Sequence, residues 1–421
     1  MIFFFLTSGL FLGWSLGAND AANVFGSAVG SRMITFFKAA IISSVFVIIG
    51  AVFQGEGAAE TLGRLGAVNA LGGSFTVALS AALTVYFMTR LSIPVSTTQA
   101  IVGAIIGWNL FTGSATDFNS LTTIVTTWIT GPVLGGIFAV LLYMLIKRIK
   151  RSAGIHLIRY ESYIRTGLII VGAFASYSLG ANNIANVMGV FVPAVNFGEI
   201  DLGFVSLDSA QQLFLLGGLA IAAGIFTYSE RVMKTVGKNI FELSSDAALI
   251  VVLAHSLVLF IFSSSRLSEF FSGLGLPPIP LVPVSSSQVI VGAILGIGIL
   301  NNVRNINFKV LGGIASGWVT TPIIACIVSF ISLFFVQNVF DITVQENVTD
   351  LTGQDSYTQY DPRVLCINSQ SFLLTEKRNS SPPPSIFLTD ICPLWNCTAC
   401  FTIASPSPVP PILLDLPSSM R

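Results

Sequence analysis

Charge is the scarcest feature of this sequence. Only 10% of its 421 residues are Asp, Glu, Lys or Arg, whereas 53% are hydrophobic, and the net charge is zero. A typical soluble domain carries about 25% charged residues, so a soluble chain of this composition could not cover its own surface. The composition therefore predicts an integral membrane protein. No basic cluster is interleaved with aromatic residues, which argues against nucleic acid as a partner.

Cysteine is also scarce, with five residues, which is too few for a disulfide scaffold. The apolar N-terminus has the look of a signal-peptide core, but it lacks a positively charged start and a clear cleavage site. We therefore interpret it as a retained first helix.

Long apolar runs fill most of the chain. A spanning helix needs about 20 mostly apolar residues, and ten segments approach that length. In the first half they are roughly 2–26, 37–53, 75–89, 95–111 and 121–146, and in the second half 166–195, 211–228, 244–262, 284–300 and 310–336. Several are short or interrupted by Gly and Pro. We predict an all-α polytopic membrane protein with about 10–12 transmembrane helices, some of them broken or re-entrant.

Lys and Arg residues orient these spans. The segment 147–165 holds six of them and should be a cytoplasmic loop, which puts both termini outside. The predicted organisation is a first transmembrane repeat at 1–146, this basic loop, a second repeat at 166–336 and a tail at 337–421.

Three sequence blocks occur twice, in the same order. LGANDAANVFG at 16–26 recurs as LGANNIANVMG at 179–189, PVSTTQAIVGAIIG at 94–107 as PVSSSQVIVGAILG at 283–296, and WITGP at 128–132 as WVTTP at 318–322. An odd number of predicted crossings separates the copies, so the two repeats should run through the membrane in opposite directions. Many secondary transporters are built this way and bind substrate near the midplane, at the repeat interface.

The first block places polar side chains inside an apolar helix. Asp20 and Asn23 share one helical face, and a carboxylate there is costly unless it faces a partner or a cavity. Carboxylate and amide oxygens suit Na⁺, or the carboxylate could carry a proton; the alternative is a structural role in hydrogen bonds between helices. Because the pattern recurs with Asn183 and Asn186, we favour a functional role.

The second block predicts a helix start rich in hydroxyl groups. Pro94 and Pro283 suit a first turn, and the residues after them are N-cap types. Exposed N–H groups at a helix N-terminus bind anions. The neighbouring hydroxyls belong to Ser96, Thr97, Thr98, Ser285, Ser286 and Ser287. The sequence therefore predicts a site for a tetrahedral oxyanion without a buried Lys or Arg, with plain helix capping as the alternative.

Other residues in these spans have simpler interpretations. Gln99 and Gln288 could ligate a cation or hydrogen-bond across helices. The G-x-x-x-G pairs at 103/107 and 292/296 predict close helix packing. His255 lies alone in an apolar span, where a packing or hydrogen-bonding role is more common than a proton relay.

The blocks GANDAAN, GANNIAN, PVSTTQ and PVSSSQ resemble those of the inorganic phosphate transporter family, the cation-coupled phosphate permeases, over about residues 2–336. The resemblance implies inverted repeats, a central phosphate site at the six hydroxyl residues, and co-transport with Na⁺ or H⁺ in a multi-pass protein of the cell membrane. Carried onto this sequence, the cation site would comprise Asp20, Asn23, Gln99, Asn183, Asn186 and Gln288.

The chain departs from the family at one position. Many members carry Asp in both first-block copies, whereas the second copy here has Asn183. An amide can offer oxygen to Na⁺ but cannot accept a proton in the working pH range, which favours Na⁺ over H⁺ as the coupling ion. No organic cofactor is expected.

The sequence leaves some alternatives to phosphate symport. A sulfate permease of the same architecture is the nearest alternative. An enzyme would need a catalytic pair or a metal motif, which the sequence lacks, and a sensor should have lost the coupling-ion residues. The oligomeric state, with a homodimer as one option, is left open.

The tail differs from the rest of the chain. Ten of the 18 prolines fall between Pro362 and Pro417. Such a composition favours irregular structure. The closely spaced cysteines at 392–400 lack the further ligands of a zinc site. We predict that 337–421 is disordered.

Overall fold

The computed structural model describes residues 1–66, 68–90, 95–153, 156–201, 203, 206–239, 244–300 and 308–346. Twelve α-helices lie within them: α1 (Ile2–Gly30), α2 (Phe36–Gln54), α3 (Glu56–Gly66), α4 (Leu71–Arg90), α5 (Thr97–Thr112), α6 (Phe118–Ala153), α7 (Leu157–Met188), α8 (Ser209–Asn239), α9 (Ser245–Ser263), α10 (Ser265–Gly273), α11 (Ser286–Leu300) and α12 (Phe308–Asn338). A single 3₁₀ turn, Gly189–Phe191, extends α7. Strands β1 (Ile200–Asp201) and β2 (Ser206–Leu207) form an antiparallel pair.

The predicted all-α polytopic membrane fold is confirmed. Among the described residues, eight helices are long and apolar enough to cross a membrane, namely α1, α2, α4, α6, α7, α8, α9 and α12. The other two predicted spans, α5 and α11, have only 16 and 15 residues and are about 24 Å and 22 Å long. The hydrocarbon core is about 30 Å thick, so neither helix is long enough to span it alone. We call α5 and α11 the half-helices.

Two short helices were not predicted from the sequence. The 11-residue α3 precedes α4, and the 9-residue α10 follows α9. Each is too short and too polar to give a spanning signal, since α3 carries an exposed Arg64–Glu60 ion pair and α10 has no buried residue.

The two repeats are inverted. The corresponding helices α1 and α7 run antiparallel: Gly9, near the start of α1, lies against Val187, near the end of α7, while Phe25 further along α1 lies against Gly172. The packing is also reciprocal, because α1 packs on α8 as α7 packs on α2, and α5 packs on α12 as α11 packs on α6.

Glycines allow the paired helices to approach closely. A Cβ on Gly17 of α1 would overlap the carbonyl oxygen of Ile221, and one on Gly180 of α7 would overlap that of Val47. The predicted close packing of the G-x-x-x-G pairs is confirmed in the same way. Gly103 of α5 contacts the Pro322 carbonyl, and Gly292 of α11 contacts the Pro132 carbonyl. The third repeated block therefore forms the docking surface for the half-helices.

The basic segment 147–165 is mostly helical, which corrects the predicted loop. Helix α6 continues to Ala153 and α7 begins at Leu157. The sequence becomes polar at Lys147, but the helix does not end there. A membrane-spanning helix can extend beyond the hydrocarbon into water.

The start of the predicted tail is structured. Its boundary at 337 falls inside α12, and residues up to 346 pack on the first repeat: the Trp108 Nε1–H donates to the Val344 carbonyl at 2.9 Å, and Asn69 exchanges two hydrogen bonds with the Glu346 backbone, at 2.8 and 3.0 Å. The rest of the tail lies outside the described residues, so its disorder stays a prediction. Residues 1–347 form one compact unit.

Gly180→Ala should lower the thermal stability of the detergent-solubilised protein, because the new methyl group would push α7 away from Val47. Overpacking of this kind costs about 1–3 kcal/mol, so the melting temperature should fall by several degrees. Gly63→Ala in α3 is the matched control, since nothing lies within 4 Å of the position that its new methyl group would take. Equal melting temperatures for the two variants would contradict the close contact.

Candidate functional site

Both half-helices begin at their hydroxyl blocks. Ser96 is the N-cap of α5, and its Oγ accepts a hydrogen bond from the Gln99 N–H at 3.4 Å. The Ser285 carbonyl accepts from the N–H groups of Gln288 and Val289, each at 3.1 Å, at the start of α11. Five of the six predicted hydroxyl residues are buried, and Ser287 is half-buried. A side-chain cap is thus present at the start of α5, and the start of α11 shows backbone hydrogen bonds to Ser285.

The two helix starts meet inside the protein. The Thr98 hydroxyl donates to the Val284 carbonyl at 3.4 Å, which joins the hydroxyl block of one repeat to that of the other. The amide blocks bind crosswise as well. Asn186 of the second repeat donates to Thr98 Oγ1 at 2.9 Å, and Asn23 of the first repeat donates to Ser286 Oγ at 3.2 Å. Residues predicted separately for the anion and the cation therefore form one cluster.

Asn182 was not among the predicted site residues, yet it holds this cluster in place. Its Oδ1 accepts from the Val284 N–H at 2.9 Å, and its Nδ2 donates to the Val284 carbonyl at 2.8 Å. Buried backbone that belongs to no helix or sheet needs such partners. The signal was present in the sequence, since Asn occurs at this position in both first-block copies, but its counterpart Asn19 donates instead to Thr89 Oγ1 at 3.2 Å.

Several oxygens near the cluster are available to a cation. Within the described part of the chain, Gln99 Oε1, Gln288 Oε1 and Asn186 Oδ1 are buried without a hydrogen-bond partner. Asp20 is half-buried, and its carboxylate has no hydrogen-bond or ion-pair partner among the described residues. Such groups are costly unless a ligand satisfies them.

Asn183 presents a different atom. Its Oδ1 already accepts from Asn186 at 3.0 Å and from Asn182 at 3.5 Å, while its Nδ2 is buried without a partner among the described residues. The unused group at this position is an N–H donor, whereas the sequence predicted a cation ligand.

His255 reaches the cluster from α9. It is fully buried, and its Nε2 lies 2.9 Å from Ser286 Oγ, whereas its Nδ1 has no partner among the described residues. An unpaired N–H is rarer in protein interiors than an unpaired acceptor. We therefore place the imidazole proton on Nε2, from which it donates to Ser286.

This tautomer fixes the direction of the Ser286 hydroxyl. A serine oxygen has two acceptor lone pairs and one O–H. With Asn23 and His255 both donating to the oxygen, the hydroxyl hydrogen is left to donate to a ligand. The hydrogen-bonding role predicted for His255 is consistent with this contact.

Comparisons with known proteins agree with the fold and with the repeated blocks. A family model described as "Phosphate transporter family" matches residues 16–329. A protein of Methanocaldococcus jannaschii named "Putative phosphate permease" is 30% identical over 327 residues, which cover 77% of this chain and 95% of that protein. One of the same description from Thermococcus kodakarensis is 27% identical over 400 residues, with the same coverage.

A solved structure titled "The sodium-dependent phosphate transporter" shares the fold. Its TM-score is 0.62 at 22% sequence identity, and the match covers 80% of this chain and 98% of that one.

Asn182→Ala should loosen the backbone before α11, because both hydrogen bonds to Val284 are lost. An unsatisfied buried group costs about 1–3 kcal/mol, so we expect the Val284 amide to exchange with deuterium about tenfold faster or more. Asn19→Ala is the control from the other repeat and should leave this amide unchanged. Unaltered exchange at Val284 in Asn182→Ala would show that Asn182 does not hold this segment.

Proposed function

This chain belongs to the phosphate transporter family, and from that premise we propose that it moves inorganic phosphate across the membrane together with Na⁺, by alternating access. The observation that carries the proposal is the convergence of the two half-helix starts. Thr98 and Val284, which come from different repeats, are in hydrogen-bond contact there.

We assign the phosphate to the six hydroxyl residues and the free N–H groups of α5 and α11. Helix N-termini favour negative charge, and a tetrahedral oxyanion needs donors on several sides. Ser286, held as a donor by His255 and Asn23, and the unused N–H of Asn183 add to this set. Neutral donors hold an anion less tightly than a fixed cation would, which suits a ligand that must leave.

Charge balance supports a coupling cation. Helices α1, α5 and α11 contain no Lys or Arg, and those of α7 lie near its start, away from the site. Phosphate beside the Asp20 carboxylate would bring two like charges together in a low-dielectric interior, which is costly. Cations at Asp20 and at the unused oxygens of Gln99, Gln288 and Asn186 would offset that charge. Since Asn183 cannot take a proton in its amide form, we favour Na⁺ over H⁺.

The inverted architecture supplies the means of alternating access. Several pairings at the site join one repeat to the other, as in Asn186 with Thr98 and Asn23 with Ser286. Rocking one repeat against the other would therefore open the site to one side while closing it to the other.

The acceptors at the site favour phosphate over sulfate. Protonated phosphate can donate a hydrogen bond, and sulfate at neutral pH cannot. The Asp20 carboxylate has two oxygens, so one could receive that bond while the other binds a cation.

The direct test is uptake of radiolabelled phosphate into proteoliposomes. We expect accumulation under an inward Na⁺ gradient, collapse of accumulation when a Na⁺ ionophore is added, and no competition from a tenfold excess of sulfate. Uptake driven by a pH gradient without Na⁺ would replace Na⁺ with H⁺. Equal competition by sulfate would overturn the substrate assignment.

Variants at the cluster should separate binding from coupling. Thr97→Ala and Ser286→Ala should each raise the KM for phosphate about tenfold, because a hydrogen bond to a charged ligand is lost. Asp20→Asn should abolish Na⁺-driven accumulation. Ser80→Ala is the control, since the hydroxyl of this buried serine of α4 has no hydrogen-bond partner among the described residues. Unchanged kinetics in the three site variants would refute the assignment.

Substitution of His255 tests its action on Ser286. We expect His255→Leu to raise the KM for phosphate about three- to tenfold with little change in the maximal rate, because Ser286 loses a donor that directs its hydroxyl. His255→Gln keeps an N–H donor and should restore most of the affinity. A fall in the maximal rate alone, shared equally by both variants, would point to a structural role instead.

A further inference from the structure

Helix α6 lines two neighbouring cavities that the proposed transport site does not use. One, of about 360 Å³, has charged side chains in its lining and lies between α6 and α9, with Lys147, Lys150 and Arg151 on one side and Asp246 on the other. The second, of about 580 Å³, is a groove between α6 and α11 that is almost wholly apolar, with Val140 among its lining residues. We call them the basic pocket and the apolar groove.

The two cavities follow one stripe of α6. Gly136 and Val140 line the apolar groove, and Tyr143, Lys147 and Arg151 line the basic pocket. Successive members of this series are three or four residues apart, which places them on one face of a helix. The rise from Val140 to Lys147 is about 10 Å, so the groove leads towards the pocket along the helix surface.

The basic pocket lies where the hydrocarbon should end. Exposed apolar side chains recur along α6 at every fourth residue from Val125 to Ile149, namely Val125, Ile129, Val133, Ile137, Leu141, Leu145 and Ile149. These 24 steps correspond to about 36 Å of helix, which exceeds the hydrocarbon thickness of about 30 Å. The last turn, with Lys147 and Arg151, should therefore lie at the depth of the lipid headgroups, where tyrosines such as Tyr143 are typical.

The charge of the basic pocket is incompletely balanced. Three cations face one carboxylate, and Lys150 donates to that carboxylate, Asp246 Oδ2, at 2.9 Å. Lys147 Nζ lies 5.5 Å from the centre of the Tyr143 ring. Neither Lys147 nor Arg151 has an ion-pair partner among the described residues. Lys147 and Arg151 are therefore available to bind an anionic ligand.

We propose that this surface binds an anionic glycerophospholipid. Its phosphodiester would lie between Lys147 and Arg151, and one acyl chain would fill the apolar groove beside Val140. Both halves of the surface are needed for this choice: a soluble phosphate compound would leave the groove empty, and a zwitterionic lipid would leave the charge of the pocket unbalanced. The inference is independent of the transport site, because none of its residues belongs to that cluster.

Native mass spectrometry of the purified protein can measure this binding directly. Phosphatidylglycerol and phosphatidylcholine with the same acyl chains would be added separately, with glycerol 3-phosphate as the headgroup without chains. We expect phosphatidylglycerol to bind more tightly than phosphatidylcholine and glycerol 3-phosphate to show no binding. Equal binding of the two lipids, or binding of glycerol 3-phosphate as tight as that of phosphatidylglycerol, would overturn the proposal.

Variants locate the site on α6. Lys147→Gln with Arg151→Gln should weaken phosphatidylglycerol binding about 25-fold, since each cation near the lipid surface contributes about fivefold. Arg148→Gln is the matched control, because this neighbouring cation does not line the pocket. Val140→Phe, which fills the groove, should also weaken binding. An effect of Arg148→Gln as large as that of the double variant, or full binding in both the double variant and Val140→Phe, would refute the site.

Discussion

The structure depends on one constraint: polar groups placed in the hydrocarbon must find partners inside the protein. The starts of α5 and α11 place N–H groups, carbonyls and hydroxyls among membrane-spanning helices, where unsatisfied groups cost several kcal/mol each. The chain meets this demand partly with contacts between the repeats. Asn186 of the second repeat binds Thr98 of the first, and Asn23 of the first repeat binds Ser286 of the second. Within the second repeat, Asn182 holds both backbone groups of Val284. Neither repeat can complete the arrangement alone.

Helix packing around the site also joins the two repeats. Each half-helix docks through glycine on a proline-containing helix of the opposite repeat, as with Gly103 on Pro322 and Gly292 on Pro132. Contact between backbones at such short range leaves little room for the half-helices to move independently. The helix starts are thereby held on a rigid scaffold to which both repeats contribute.

The two repeats are not identical around the starts of α5 and α11. Asp20 in the first repeat is matched by Asn183 in the second, so the two copies of the first block carry one carboxylate between them. Asn182 binds the backbone before α11 in its own repeat, while its counterpart Asn19 binds a side chain of α4. His255 directs one hydroxyl of the second repeat. The two repeats therefore differ in charge and in hydrogen bonding around their half-helix starts, although they share one repeated sequence pattern.

The sequence by itself determined what short-range patterns encode. The apolar runs indicated a membrane protein, and the repeated blocks indicated two related halves. Ser96 marked the start of α5, because helix capping acts over only a few residues. It misjudged the end of α6 near Lys147, since a rise in polarity marks the membrane surface and not the end of a helix. Only the tertiary structure decided that Asn182 binds Val284 and that His255 binds Ser286. These partners lie 102 and 31 residues apart, and which side chains meet over such separations depends on how whole helices pack, a property that no local pattern carries.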